Sequence, residues 1–198
     1  MASPDQALEN SNKWFTDGKF FDKLSSLVNI VTDSKNAVSV DDLTSYYTDG
    51  LSDILTELGL QTEIIDNPIK GGPPFLIGKR IESSESKTIL LYGHGDTVPL
   101  QEGQWFGGII PNELKIIDKK IYGRGVADNK GQHLINLLAL LSVLKIRKKL
   151  GFNLKIVFEM GEEIGSPGLF DLCEQCKDYF ESDVLIASDG PRVAVDVP

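Results

Sequence analysis

Apolar side chains recur at helical spacing over residues 16–31 (FTDGKFFDKLSSLVNI), at Phe20, Leu24, Leu27, Val28 and Ile30, which predicts an amphipathic helix. Residues 41–60 repeat the pattern at Leu43, Tyr46, Leu51, Ile54, Leu55 and Leu58, and Gly59 supplies the usual stop. Residues 61–65 read as a strand, Gly71-Gly72-Pro73-Pro74 as a turn, and residues 75–81 as a second strand. The polar stretch 83–87 reads as a hairpin loop. From there strands and helices alternate. Residues 88–92 (TILLY) form a continuous apolar run suited to a strand buried on both faces, and 114–122 carries a weaker strand signal around a turn at Asp118-Lys119-Lys120. A long apolar helix is predicted over 129–149, a strand over 153–159 (NLKIVFE), a helix opened by Ser166 and Pro167 over 167–180, and a strand over 183–187. Residues 193–197 look like the start of another strand. This order predicts an α/β fold, a mostly parallel sheet flanked by helices.

The chain has 198 residues, enough for one domain with a sizeable core. Its 20 Lys+Arg against 29 Asp+Glu leave a net charge of −9. That balance argues against nucleic acid or an anionic membrane as partner, since both are polyanions. The one dense basic group, Lys145, Arg147, Lys148 and Lys149, falls at a predicted helix end, where cations suit the helix dipole. No basic segment followed by an apolar run opens the chain, and the longest apolar stretch, 134–144, is interrupted by Asn136 and Ser142. Cytoplasm is therefore the expected location. Cys173 and Cys176 are spaced C-x-x-C, but a zinc ribbon needs a second pair, so they read as two small residues on neighbouring helical turns.

In open sheets, functional groups gather beyond the carboxyl ends of the strands. Four polar clusters fall at such junctions: Gly93-His94-Gly95-Asp96-Thr97-Val98-Pro99, Gly123-Arg124-Gly125-Val126-Ala127-Asp128-Asn129-Lys130-Gly131, Met160-Gly161-Glu162-Glu163-Ile164-Gly165-Ser166, and Ser188-Asp189-Gly190. Taken singly, Asp128 and Asp189 read as helix caps and Glu162-Glu163 as a solvated pair. Together, one histidine and several carboxylates at one sheet edge describe a divalent-metal site, with zinc the first candidate. Competing motifs fail. Gly123-Arg124-Gly125 begins like a dinucleotide fingerprint but places Asp128 where the third glycine belongs. Gly78-Lys79-Arg80 lacks the spacing of a phosphate loop, and no G-x-S-x-G elbow exists.

In content, order and spacing the four clusters resemble the zinc-dependent exopeptidase and deacylase family that includes carboxypeptidase G, aminoacylase, acetylornithine deacetylase, succinyl-diaminopimelate desuccinylase and carnosine dipeptidase. The resemblance runs from about Thr88 to Gly190. It implies a two-zinc centre, with cobalt or manganese as alternative metals. His94 and Asp189 would hold one metal, Asp128 would bridge both, and Glu163 would bind the second. Asp96 would hold the His94 imidazole in its tautomer, and the peptide bond after Asp128 would be cis. Glu162 would be the general base, taking a proton from the attacking water and passing it to the leaving amine in hydrolysis of an amide. Arg124, Lys130 and the glycines would shape the loop.

The same resemblance implies that residues 1–198 are the N-terminal portion of a catalytic domain. A lid or dimerisation domain and a resumed catalytic part would lie elsewhere, the latter with one more zinc-binding histidine. The other histidine here, His133, reads as a helix-face residue rather than its substitute. Small peptides or N-acyl amino acids are the implied substrates, and homodimers the implied state of a complete protein. The alternative is a catalytically inactive metal-binding or interaction module that keeps the fold.

Overall fold

The computed structural model describes residues 3–36, 39–189 and 194. The expectations for Gly190 and for a strand over 193–197 therefore lie outside the described residues, Ala194 apart.

The chain opens with α1 (Pro4–Thr16), which the apolar pattern misses because none of its residues is buried. Its start is instead a capping box: the Gln6 N–H donates to Ser3 Oγ and the Ser3 N–H donates to Gln6 Oε1, with Pro4 in the first turn. Trp14 anchors it, its indole N–H donating to Ser142 Oγ at 3.0 Å beneath the Lys145 ammonium. Gly18, in the left-handed region at φ 77°, breaks the path before α2 (Lys19–Asn29), so the helix expected over 16–31 is the second of two. The helix expected over 41–60 is α3 (Val40–Ser45), a π-helical turn at Tyr46–Leu51, and α4 (Ser52–Glu57). The wider turn lets the adjacent Tyr46 and Tyr47 both face the interior, where both are buried.

The main sheet comprises β1 (Gln61–Ile65), β2 (Phe75–Arg80), β3 (Thr88–His94), β6 (Asn153–Glu159) and β7 (Val184–Ala187). Its order is β1-β2-β6-β3-β7. Between β3 and β6 come a small hairpin, β4 (Lys115–Ile117) and β5 (Lys120–Tyr122), and α5 (Lys130–Arg147). Only β3 with β6 and β3 with β7 run parallel; β1 with β2 and β2 with β6 are antiparallel. The sheet is thus mixed where a mostly parallel one was expected. The expected hairpin at 83–87 is not one either, because β6 inserts between β2 and β3. Asn153 at the start of β6 explains this. Its Oδ1 accepts the Glu82 and Ser83 N–H groups and its Nδ2 donates to the Ser83 and Ser86 carbonyls, so the loop wraps around the incoming strand.

Helices cover both faces. On one, α5 presses Leu134, Leu137, Leu138 and Leu141 against Ile156 and Phe158, joined by Leu24 and Leu27 from α2 and Leu51 and Leu55 from the π turn and α4. On the other lie α6 (Leu169–Gln175) and α7 (Lys177–Phe180), separated where the backbone leaves the helical region at Cys176. There the Lys155 ammonium donates to the Asp178 and Glu181 carbonyls. Among the described residues no helix is long and apolar enough to cross a membrane.

The core location of α5 sets a stability expectation. Leu134 is fully buried, whereas its neighbour Ile135 is 48% exposed. Leu134→Ala should cost about 2–5 kcal/mol in urea unfolding. Ile135→Ala should stay within about 0.5 kcal/mol of the unaltered chain.

Candidate metal centre

The site forms where β3 ends. His94, the last residue of that strand, lies opposite Glu159 of β6 and is fully buried. The next residue must be glycine, because a Cβ on Gly95 would sit 2.5 Å from the Tyr46 ring. The chain then turns to Asp96, also fully buried. A buried carboxylate needs partners for its oxygens, and Asp96 has them. Its Oδ1 lies 3.2 Å from His94 Nδ1 and accepts the Glu162 N–H at 3.1 Å. Its Oδ2 accepts the Glu163 N–H, also at 3.1 Å. One side chain thus ties the end of β3 to the short helical turn Glu162–Ile164 that follows β6.

With Nδ1 turned to Asp96, His94 Nε2 points at carboxylates. Asp128 Oδ1 is 3.0 Å away, Asp189 Oδ2 3.4 Å and Glu162 Oε2 3.8 Å. These come from three separate segments: the loop before α5, the residues after β7, and the turn after β6. Asp128 is held by a tight loop in which its bond to Asn129 is cis and a Cβ on Gly131 would lie 2.0 Å from the Val126 carbonyl oxygen. The side chain of Asp128 is 63% exposed and that of Glu162 38%, so the cluster opens towards solvent above a buried imidazole.

The charges respond to this crowding. Burial alone would lower the His94 pKa, but the hydrogen bond and charge of Asp96, then the charges of Asp189 and Asp128, raise it to about 9. Burial raises the Glu162 carboxyl, with Asp189, Asp96 and Asp128 adding to the rise and His94 opposing it. Burial also raises Glu163, on which Asp128 is the strongest neighbouring charge. Acidic groups packed this closely are at odds with one another unless a cation joins them, and an imidazole nitrogen with carboxylate oxygens is a donor set that suits zinc, manganese or cobalt. One ligand atom from each of His94, Glu162 and Asp189 lies within 4.8 Å of the others. The donors therefore fit a divalent metal.

The structure thus brings His94, Asp96, Asp128, Glu162 and Asp189 together around one imidazole. Glu163 joins them through its backbone, its carboxylate lying outside the tightest group. His133 is elsewhere occupied: fully buried on α5, it donates from Nδ1 to Asn129 Oδ1 at 3.0 Å and accepts the Tyr46 hydroxyl at Nε2 at 2.6 Å. Burial pushes its pKa down to about 3, with the charges of His94 and Lys130 adding to the fall. Lys130 is buried as well, donating to the Leu27 and Ile30 carbonyls at the end of α2. Two neighbours have no role in the sequence reading. Glu159 is buried, its Oε1 accepting from the Tyr92 and Ser166 hydroxyls. Asn129 bonds three segments at once, and nothing in its spacing announces it.

Residues 90–196 match the peptidase family M20/M25/M40. A cysteinylglycine-S-conjugate dipeptidase from Corynebacterium striatum is 37% identical over 146 residues, covering 73% of this chain and 31% of that protein. A Beta-Ala-His dipeptidase from Mus musculus is 36% identical over 121 residues, 60% of this chain and 24% of its own length. The crystal structure of human carnosine dipeptidase 1 superposes with a TM-score of 0.79 at 29% identity, over 92% of this chain and 41% of that one. The chain spans less than a third of the length of those two curated relatives. With more than half of its residues matched and the fold shared, the chain belongs to the M20/M25/M40 peptidase family.

Proposed function

We propose that this chain carries the first part of the catalytic centre of a metal-dependent dipeptidase, a hydrolase of small-peptide amide bonds. The observation that carries this reading is the single imidazole nitrogen of His94 facing Asp128, Asp189 and Glu162 while Asp96 holds the opposite nitrogen. Membership of the family supports it. In this reading His94, Asp189 and Asp128 would hold one divalent metal, and Asp128 and Glu163 would serve a second. Zinc is the expected ion, with cobalt or manganese as substitutes. When bound, such a metal supplies an acidified water and polarises the substrate carbonyl.

The protein's own groups do the rest. Asp96 keeps a proton on His94 Nδ1, so that Nε2 is the nitrogen that would exchange its proton for a metal. Its grip on the Glu162 and Glu163 N–H groups fixes where those two carboxylates begin. Glu162 is the general base: burial and acidic neighbours raise its proton affinity, which suits a group that takes a proton from water and returns it to the leaving amine nitrogen. In this reading the remaining ligand, the substrate-carboxylate contacts and any dimer contact would come from outside residues 1–198. On the same reading, residues 1–198 are the N-terminal portion of the catalytic domain. Dipeptides are the preferred substrate class, with N-acyl amino acids next.

Two substitutions separate the roles. In a protein that joins this chain to the remaining ligand and substrate contacts, Glu162→Gln should lower turnover of Cys-Gly or β-Ala-His dipeptides by about 100-fold or more. Zinc binding should meanwhile stay within a few-fold of the unaltered protein. Equal loss of metal and turnover would overturn the base assignment. Asp96→Asn should weaken zinc binding by about 10- to 100-fold in a chelator-competition titration, and unchanged affinity would show that the His94 tautomer is set by something else.

A further inference from the structure

The β3–β7 ladder ends at the pair Tyr92–Ala187, so Ser188 and Asp189 lie beyond the last strand pairing. Among the described residues β7 has a neighbour on one side only, β3, and all four of its residues are exposed. The sheet alone therefore does little to fix Asp189, yet its Oδ2 stands 3.4 Å from His94 Nε2. Two amides at α5 take over where the ladder stops. Asn129, at the cap of α5, donates from Nδ2 to the Ser188 carbonyl at 2.8 Å. Asn136, two turns further along, donates from Nδ2 to Ser188 Oγ, also at 2.8 Å. Residues seven apart share a helix face, which is why both reach the same residue.

Asn129 is itself held at its other end. Its Oδ1 accepts His133 Nδ1–H at 3.0 Å and the His94 N–H at 3.4 Å, and the residue is buried. One amide thus links the strand bearing His94 with the segment bearing Asp189, and it adjoins Asp128 in the chain. Asn136 is one of two polar residues that interrupt the apolar run 134–144, and the bond to Ser188 gives that interruption a purpose.

We infer that Asn129 and Asn136 form a clip that positions Asp189 against His94, making them positioning residues for the metal centre. This rests on the proposed metal site. A clip acting through Asp189 should matter only while Asp189 is present, whereas general damage to the fold would add to its loss.

The test is a set of zinc titrations by chelator competition on the 198-residue chain, with urea midpoints as a check on folding. Asn129→Ala should weaken zinc binding by about 10- to 100-fold, as loss of a partner behind a ligand does. Asn136→Ala and Ser188→Ala remove the same hydrogen bond, so each should cost about 2- to 10-fold and the pair together no more than either. Asn136→Ala also exchanges a modest helix former for the best one, so it keeps the experiment informative if Asn129→Ala unfolds. The Asp189→Ala background is titrated directly with zinc, because its weakened site would not survive desalting. There Asn136→Ala and Ser188→Ala should change the residual affinity by less than about twofold, following the logic of a double-mutant cycle, while Asn129→Ala should keep only the part of its effect that runs through the His94 N–H. Zinc binding that is lost in Asp189→Ala but unchanged in the asparagine variants would overturn the clip alone. Losses that persist in full without Asp189 would do the same. A chain that binds no zinc would overturn the metal centre itself and the clip with it.

Discussion

Everything at the candidate site hangs on the buried carboxylate of Asp96. A charged group with no access to water is tolerated only when its oxygens are occupied, and here they are taken by His94 Nδ1 and by the Glu162 and Glu163 N–H groups. That requirement joins the end of β3 to the turn after β6. It also settles which nitrogen of His94 faces outward. The glycine at position 95 follows from it, since the chain can turn between His94 and Asp96 only by passing against the Tyr46 ring.

A second constraint runs through charge. Asp128, Asp189 and Glu162 converge on one imidazole from three loops, and their mutual repulsion is the cost of the arrangement. Such crowding destabilises an isolated fold, so something else must favour it; a bound cation of high charge is the simplest candidate. Hydrogen bonds hold the scaffold around the site: His133 and Tyr46 bond each other in the core, Asn129 spans three segments, and Lys130 closes the end of α2.

The sequence exposed the chemistry more readily than the topology. His94 closes a strand, and Asp96, Asp128, Glu162, Glu163 and Asp189 each stand in a segment that follows one, a local pattern that needs no knowledge of which strands pair. Strand order is different. Whether β2 meets β3 or β6 depends on contacts made across some 70 residues, such as the Asn153 amide to the Glu82 and Ser83 backbone, and no periodicity in either strand encodes them. α1 was readable, but from its Ser3–Gln6 capping box rather than from apolar spacing. Asn129 and Asn136 were not, because an amide acquires meaning only once the end of β7 is brought beside α5. The same holds for His133, whose two ring nitrogens find partners from α5 and the π turn.

The most direct test of a metal centre at the end of β3 is the metal content of the purified 198-residue chain, measured by elemental analysis after equilibration with zinc and desalting. The chain should retain about one zinc, and His94→Ala and Asp189→Ala should each reduce it to background. Variants that retain as much zinc as the unaltered chain, or a chain that retains none, would contradict a metal site built on His94.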